Sequence, residues 1–144
     1  MSKHYSQRLA YGEEIVKLGK EDKDIVVLEA DLGRSTMSCL FQDAIPGRYF
    51  EVGIAEQNML STAAGLAASG KKAFASTFAV FASGRAYDQI RQTICTGNLN
   101  VKICGSSSGL SDYGDGATHQ SIEDVSIMSA IPNMTVLTPC DATE

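Results

Sequence analysis

Glu56 follows a short apolar segment that ends at Gly53, where the chain is predicted to change from strand to helix. Acids are common in the first turn of a helix because the helix dipole stabilises a negative charge there, and this is the simpler interpretation. A carboxyl group at the end of a buried strand can also exchange a proton with a bound ligand. The neighbouring residues leave both interpretations open.

Three further groups of side chains could contact a ligand. Phe78 and Phe81 have a spacing typical of core aromatics, although the two rings could also stack on a flat heteroaromatic ligand. His119 lies in a glycine-rich loop, where it could be structural, exposed or in contact with a polar substrate. Arg8 carries the planar guanidinium that suits phosphate, although a solvated helix charge is the commoner role. None of these signals names a reaction by itself.

Alternating strand and helix patterns predict how these side chains are positioned. Short β-branched or apolar segments predict strands, and the amphipathic segments between them predict helices. The predicted strands span 25–31, 48–53, 71–77, 99–105 and 133–139, and the predicted helices span 5–20, 38–48, 55–70, 81–97 and 121–131. The last helix begins with a capping-box pattern, Ser121 followed by Asp124. This order predicts a single α/β domain over residues 1–144, with a doubly wound, mainly parallel sheet and helices on both faces.

The carboxyl ends of the predicted strands carry most of the candidate side chains. Ligands of open α/β sheets bind at these ends. The groups found there are Asp31 with Ser35, Glu56, Phe78 with Phe81, and the loop at 105–119 with Asp115 and His119. The fold therefore predicts that residues distant in sequence gather along one edge of the sheet.

Composition argues against several classes of function. The net charge is −5, from 12 basic and 17 acidic residues, and no basic stripe suggests nucleic-acid binding. No segment approaches the ~18 apolar residues of a membrane-spanning helix. The four cysteines are far apart in sequence, which predicts no metal site and favours free thiols in a reducing cytoplasm.

Three segments together carry a family resemblance. They are "YFEVGIAEQNM", "STFAVFASGRAYDQIRQ" and "GLSDYGDGATHQSIEDVSIMSAIPNMTVLTPCDATE". In this combination and order the chain resembles the pyrimidine-binding domain of transketolases, in particular the separately encoded C-terminal half of split transketolases. The resemblance extends from Arg8 to Glu144.

The resemblance implies a cofactor and a partner. Thiamine diphosphate is bound in this family between two α/β domains, one of which holds the diphosphate and a divalent metal, Mg2+ or Ca2+. This chain is similar to the other domain, which holds the aminopyrimidine. The implied activity is transfer of a two-carbon ketol unit between sugar phosphates by a homo- or hetero-oligomer. We expect the diphosphate-binding domain and the usual C-terminal domain to be absent from this chain, and the chain alone to be inactive.

The resemblance also implies roles for individual residues. Glu56 matches the catalytic acid that hydrogen-bonds the pyrimidine ring and relays a proton. The implied neighbours of the cofactor are Phe78, Phe81 and Asp31. The implied substrate contacts are Asp115 and His119 at the sugar hydroxyls, with His119 also catalytic, and Arg8 and Ser35 at the sugar phosphate.

Two departures from the family pattern concern the sugar. Gly84 stands where many members have a tyrosine, and Ser106 to Gly109 replace a segment in which many members have a histidine. These departures leave the cofactor expectations unchanged.

Three alternatives remain at the level of sequence. A 1-deoxy-xylulose-5-phosphate synthase shares "GIAEQ" and "RAYDQ", although "THQSIEDVSIMSAIPNM" is more similar to transketolase. The β-subunit of an oxo-acid dehydrogenase is disfavoured by the intact Asp-Gly-x-Thr-His-Gln string. A non-catalytic dimerising fragment would keep these motifs without activity.

Overall fold

The computed structural model describes residues 5–144. Its helices and strands are, in chain order, α1 (Gln7–Glu21), β1 (Ile25–Glu29), α2 (Gly33–Thr36), α3 (Cys39–Ala44), β2 (Tyr49–Glu51), α4 (Glu56–Ala68), β3 (Lys72–Phe78), α5 (Tyr87–Gln89), β4 (Val101–Ser106) and α6 (Asp124–Ser129). Two π-helical turns, Phe81–Arg85 and Ile90–Cys95, flank α5, and short 3-10 turns cover Pro46–Arg48 and Gly116–Thr118. Within the described residues, no helix has the length and apolar character needed to cross a membrane.

The four strands form one parallel sheet in the order β2-β1-β3-β4. β1 pairs with β2 along one side and with β3 along the other, and β4 pairs with the far side of β3. The chain thus winds outward from β1 in both directions, which confirms the predicted doubly wound, parallel α/β fold. The direction of winding reverses between β1 and β3, and sheets of this kind bind ligands at the carboxyl side of such a point.

The central strand is buried on both faces of the sheet. All five of its residues are buried, as expected for a parallel strand covered by helices on each side. Val26 and Leu28 belong to one core, together with α4. Ile25 and Val27 belong to a second core, which Phe41 of α3 completes on the opposite face. Alternation along β1 therefore divides the interior into two separate apolar layers.

The predicted fifth strand at 133–139 is wrong, since this segment pairs with no strand within the described residues. Its apolar side chains are divided between core and solvent: Met134 packs against the first core, whereas Leu137 is 82% exposed. The side-chain amide of Gln7 donates to the Pro139 carbonyl at 2.9 Å. A segment with a strand-like pattern stays irregular here because no strand edge supplies its backbone partners.

Two predicted helices differ from the structure in detail. The predicted helix at 81–97 contains two π-helical turns in place of a regular α-helix. The predicted capping box does not form, because the backbone of Ser121 pairs with Gly109 through bonds of 2.7 and 3.1 Å. Asp124 instead accepts a hydrogen bond of 2.6 Å from the Ser108 hydroxyl. Long-range pairing of the loop has replaced the local cap.

Candidate functional site

The loops that follow β1 and β2 are joined by one carboxylate. Glu51 Oε1 accepts hydrogen bonds from the backbone N–H of Asp31 at 2.8 Å and from that of Gly53 at 2.9 Å. Asp31 has a positive φ of 63°, a left-handed conformation that favours glycine, asparagine and aspartate. The Asp31 side chain is held at the mouth of the sheet, where it is exposed to solvent.

Glu56 is the first residue of α4 and its side chain is only 1% exposed. Both of its carboxylate oxygens accept hydrogen bonds from Nη1 of Arg85, at 2.8 and 2.9 Å. The Arg85 side chain is 45% exposed. The acid thus lies inside the protein, and its only charged partner among the described residues faces the solvent.

Phe78 and Phe81 provide an aromatic surface beside this ion pair. Phe78 is the last residue of β3, and Phe81 begins the π-helical turn that follows. Their ring centroids are 6.2 Å apart and the ring planes differ by only 14°. The Arg85 guanidinium lies 4.5 Å from the Phe81 centroid, so one cation contacts both the acid and an aromatic face.

His119 meets both phenylalanine rings edge-on. Its ring centroid lies 5.1 Å from that of Phe81 and 6.1 Å from that of Phe78, with interplanar angles of 79° and 75°. The Thr118 hydroxyl lies 2.9 Å from His119 Nδ1. Three distant segments, 56, 78–85 and 119, therefore form one connected group of side chains, which we call the Glu56 cluster: Glu56, Phe78, Phe81, Arg85 and His119.

Arg8 and Ser35 are in direct contact. Nη1 of Arg8 donates to the Ser35 carbonyl at 2.9 Å. Arg8 also lines a polar cavity of about 480 Å3 together with Ser107 and Ser111 of the long loop. The guanidinium and the hydroxyl groups suit an anionic ligand, whereas Asp112, which lines the same cavity, opposes one.

Two predicted site residues lie apart from the Glu56 cluster. Asp115 is exposed, and its backbone N–H donates to Asp112 at 3.4 Å. Within residues 5–144, neither the Asp115 nor the Asp31 carboxylate forms a hydrogen bond or ion pair with that cluster. Their roles, like those of all the other predicted site residues, remain predictions.

A second buried acid lies at the end of β1. Glu29 is fully buried and accepts hydrogen bonds from the hydroxyls of Thr36 at 2.7 Å and Ser38 at 2.6 Å. The Ala30 N–H also donates to it, at 3.1 Å. Burial raises the pKa of Glu29 although these three donors oppose the shift, and burial also raises the pKa of the nearby Tyr49 to about 12. Neutral donors hold this acid, which ties the loop after β1 to the sheet.

Sequence reasoning does not identify Arg85 or Glu29 as site residues. Glu29 has a detectable signal, because it is an acid inside an otherwise apolar strand. The partner of Arg85 lies 29 positions earlier in the chain, so no local spacing pattern indicates the pair.

No group of three or more histidine, cysteine, aspartate or glutamate side chains between residues 5 and 144 is arranged to hold a metal ion.

The chain is similar in sequence to one protein family and to several known proteins. The family model described as transketolase, pyrimidine binding domain, matches residues 3–144. A putative transketolase C-terminal section from Methanocaldococcus jannaschii is 50% identical over 134 residues, which are 93% of this chain and 42% of that protein. A 1-deoxy-D-xylulose-5-phosphate synthase from Clostridium perfringens is 41% identical over 138 residues, 96% of this chain and 22% of the synthase.

A solved structure is similar along nearly the whole chain. It is a split gene transketolase described as an inactive beta4 tetramer, with a TM-score of 0.84 and 51% sequence identity. The similarity covers 97% of this chain and 45% of that one. The chain thus spans less than half the length of the relatives it matches.

Proposed function

The chain belongs to the transketolase pyrimidine-binding domain family, and from that premise we propose that it supplies the aminopyrimidine half-site of a thiamine diphosphate-dependent transketolase. One observation carries the proposal: a fully buried acid, Glu56, is connected through Arg85 to the parallel rings of Phe78 and Phe81. An aminopyrimidine is flat and offers ring nitrogens for hydrogen bonding. A buried carboxyl group and an aromatic face suit those two properties.

Glu56 would hold a proton at one carboxylate oxygen, within reach of a pyrimidine ring nitrogen. Its burial keeps solvent from the carboxylate, so a proton held there would be shared with the ligand. Thiamine diphosphate supplies, when bound, the electron sink needed to break and form a carbon–carbon bond beside a ketose carbonyl. The protein contributes the position of the acid and its access to the ring.

Phe78 and Phe81 would contact the faces of the pyrimidine. Asp31 would lie near the pyrimidine, where this domain meets the diphosphate-binding domain. His119 would act at the sugar, because it combines an edge-on contact with both rings and a place on the long loop. Its imidazole nitrogens can hydrogen-bond a sugar hydroxyl, which suits a catalytic contact with the donor sugar.

Arg8 and Ser35 would hold the sugar phosphate, and Asp115 a sugar hydroxyl. The polar cavity that Arg8 lines together with Ser107 and Ser111 supports a phosphate role for Arg8. Binding energy gained at a phosphate can orient the reacting end of the sugar.

The diphosphate and a Mg2+ or Ca2+ ion would be held by a partner subunit or domain, in a homo- or hetero-oligomer that uses sugar phosphates as substrates. The names of the relatives support this division, since one is a C-terminal section and one is a split-gene protein. All four cysteines are free, which supports a cytoplasmic location.

A ketol-transfer assay tests the proposal. The chain would be combined with the N-terminal half of a split transketolase, thiamine diphosphate, Mg2+, a ketose phosphate and an aldose phosphate. We expect transfer by the wild-type mixture and a loss of at least about 100-fold in kcat for Glu56→Gln, because a catalytic proton transfer contributes about that much. Glu21→Gln, at the exposed end of α1, is the matched control and should retain activity. Full activity of Glu56→Gln would refute the role of Glu56.

A second candidate function is supported by the similarity to the Clostridium perfringens synthase. The assembled protein, supplied with pyruvate and a triose phosphate in place of the sugar phosphates, should then condense the two and release carbon dioxide. Pyruvate consumption without ketol transfer would replace the transketolase proposal by the synthase.

A further inference from the structure

Arg85 makes both of the contacts that the Glu56 cluster offers to a pyrimidine ring. We propose that Arg85 is a stand-in for that ring: it occupies the pyrimidine subsite while the cofactor is absent and must leave when the cofactor binds. This inference rests on the proposed function. It assigns Arg85 a competing role, which sets how tightly the cofactor is held.

The first contact is with the acid. Nη1 of Arg85 donates to both oxygens of Glu56, at 2.8 and 2.9 Å. A ligand that needs the Glu56 carboxyl must share or replace these bonds. Because Glu56 is buried, it has no solvent partner that could compensate while the exchange takes place.

The second contact is with the aromatic face. The guanidinium carbon lies 4.5 Å from the Phe81 centroid. A guanidinium and an aminopyrimidine are both planar, and both stack on aromatic rings at similar separations. The two groups therefore cannot occupy this face of Phe81 at the same time.

The surroundings of Arg85 allow it to leave. Its side chain is 45% exposed, so rotation toward solvent crosses no packed core. Arg85 ends a π-helical turn, a structure that often marks functional sites. The preceding residue is Gly84, and a Cβ there would meet no atom within 4 Å. The backbone at position 84 thus adjoins open space.

The proposal predicts two effects of opposite sign for one substitution. Removing the guanidinium leaves a buried acid without its cation, which destabilises the cofactor-free chain. The same change frees the subsite, so the cofactor no longer competes with a bound side chain and its apparent affinity rises. A purely structural role for Arg85 predicts lower stability with unchanged or weaker binding.

The test is a calorimetric titration of the chain, assembled with the N-terminal half of a split transketolase, with thiamine diphosphate and Mg2+. Arg85→Met is compared with wild type and with Arg91→Met, an exposed arginine that has no ion pair among the described residues. We expect Arg85→Met to lower the Kd at least about fivefold, as expected when a competing state that fills most of the empty site is removed. Arg91→Met should bind as wild type does.

Arg85→Lys keeps the proposal testable if Arg85→Met fails to fold. Lysine can still pair with Glu56 but lacks the planar group that stacks on Phe81. We expect it to fold and also to bind the cofactor more tightly than wild type. A separate thermal unfolding measurement on the cofactor-free chains checks the predicted loss of stability.

The outcomes separate the inference from the function on which it rests. Equal or weaker binding by both Arg85 variants, with wild type binding normally, refutes the stand-in role and leaves the half-site function in place. Absence of cofactor binding in every assembled variant refutes the half-site function and the inference with it.

Discussion

Two acids lie buried on opposite faces of the same sheet, and they are stabilised in different ways. Glu29 accepts hydrogen bonds from the hydroxyls of Thr36 and Ser38, with no cation among its described partners. Glu56 is held by the guanidinium of Arg85, whose side chain is 45% exposed. The comparison distinguishes an acid enclosed by fixed neutral groups from an acid whose partner can move into water.

The difference follows from the position of each acid in the fold. Glu29 ends the central strand, where Thr36 of α2 and the following Ser38 lie over it and supply donors. Glu56 begins α4 at the mouth of the sheet, where the long side chain of Arg85 reaches it from the π-helical turn after β3. A buried charge without a partner is costly, so both sites had to supply one. Only at Glu56 is that partner exchangeable, which is what a binding site requires.

The largest expected effect on stability comes from breaking the Glu56–Arg85 ion pair, by substituting either the arginine or the glutamate. Arg85→Met should reduce the free energy of unfolding by about 3 kcal/mol, because it leaves a buried charge unpaired. Glu56→Gln should cost only about 1 kcal/mol, since the half-exposed guanidinium can be hydrated instead. Urea unfolding of the cofactor-free chains measures both values.

The double variant Glu56→Gln/Arg85→Met provides the control for this asymmetry. It should be more stable than Arg85→Met alone, because the unpaired charge is gone. If Arg85→Met and Glu56→Gln reduced the free energy of unfolding equally, Glu56 would have to be solvated once Arg85 is removed. The proposed difference between Glu56 and Glu29 would then be refuted.

Glu29→Gln should have a smaller effect, about 1–2 kcal/mol at neutral pH. The amide still accepts from the hydroxyls of Thr36 and Ser38, but its NH2 group then faces the Ala30 N–H. Urea unfolding measures the cost, with Glu21→Gln at an exposed helix position as the control. A cost larger than that of Arg85→Met would show that the neutral donors matter more than the guanidinium.

A smaller effect is expected in the pH dependence of stability. Burial raises the pKa of Glu29 in the folded protein, so the folded state holds its proton more tightly than the unfolded state does. The stabilising contribution is therefore complete below the ordinary value of 4.5 and is lost as pH rises through the folded-state pKa. Thermal unfolding of wild type and Glu29→Gln from pH 4 upward should show wild type losing stability relative to the variant. An unchanged difference across this range would contradict the shift.

The smallest effect concerns a thiol on the Glu29 face. Burial raises the pKa of Cys104 to about 11, and the charge of Glu29 adds to the shift. At pH 8 only about one part in a thousand of this thiol is ionised, so alkylation should be slow. Exposed Cys140 should react much faster. Mass spectrometry of iodoacetamide-treated protein measures the rates, and unfolding in urea should remove the difference between the two residues.

The sequence predicted the fold where neighbouring residues carry the information. The run from Ile25 to Glu29 is apolar enough to require cover on both faces, and each of the first four predicted strands is present. The segment at 133–139 has a similar pattern but no strand partner in the described part of the chain, and a single segment does not show which strand it would pair with. Ser121 likewise has the right spacing for a cap, yet its backbone pairs with Gly109 of the same loop.

The candidate site was predictable only in part for the same reason. Glu56, Phe78, Phe81 and His119 could be expected near each other because each follows a strand of one parallel sheet. Arg85 could not, because its role depends on a side chain that crosses from one helical segment to another. The strand order determines the positions of the two phenylalanine rings and of Glu56. The position of the Arg85 guanidinium depends on a side-chain contact that only the folded structure shows.

The strand order β2-β1-β3-β4 has a consequence for how the chain folds during synthesis. The central strand is made first, and each later strand adds to an edge that is already available. Among the strands of residues 5–144, none has to wait for a later one before it can pair, and none has to be inserted between two others. The sheet can therefore grow as the chain leaves the ribosome, which shortens the time that unpaired apolar strands remain exposed to other nascent chains.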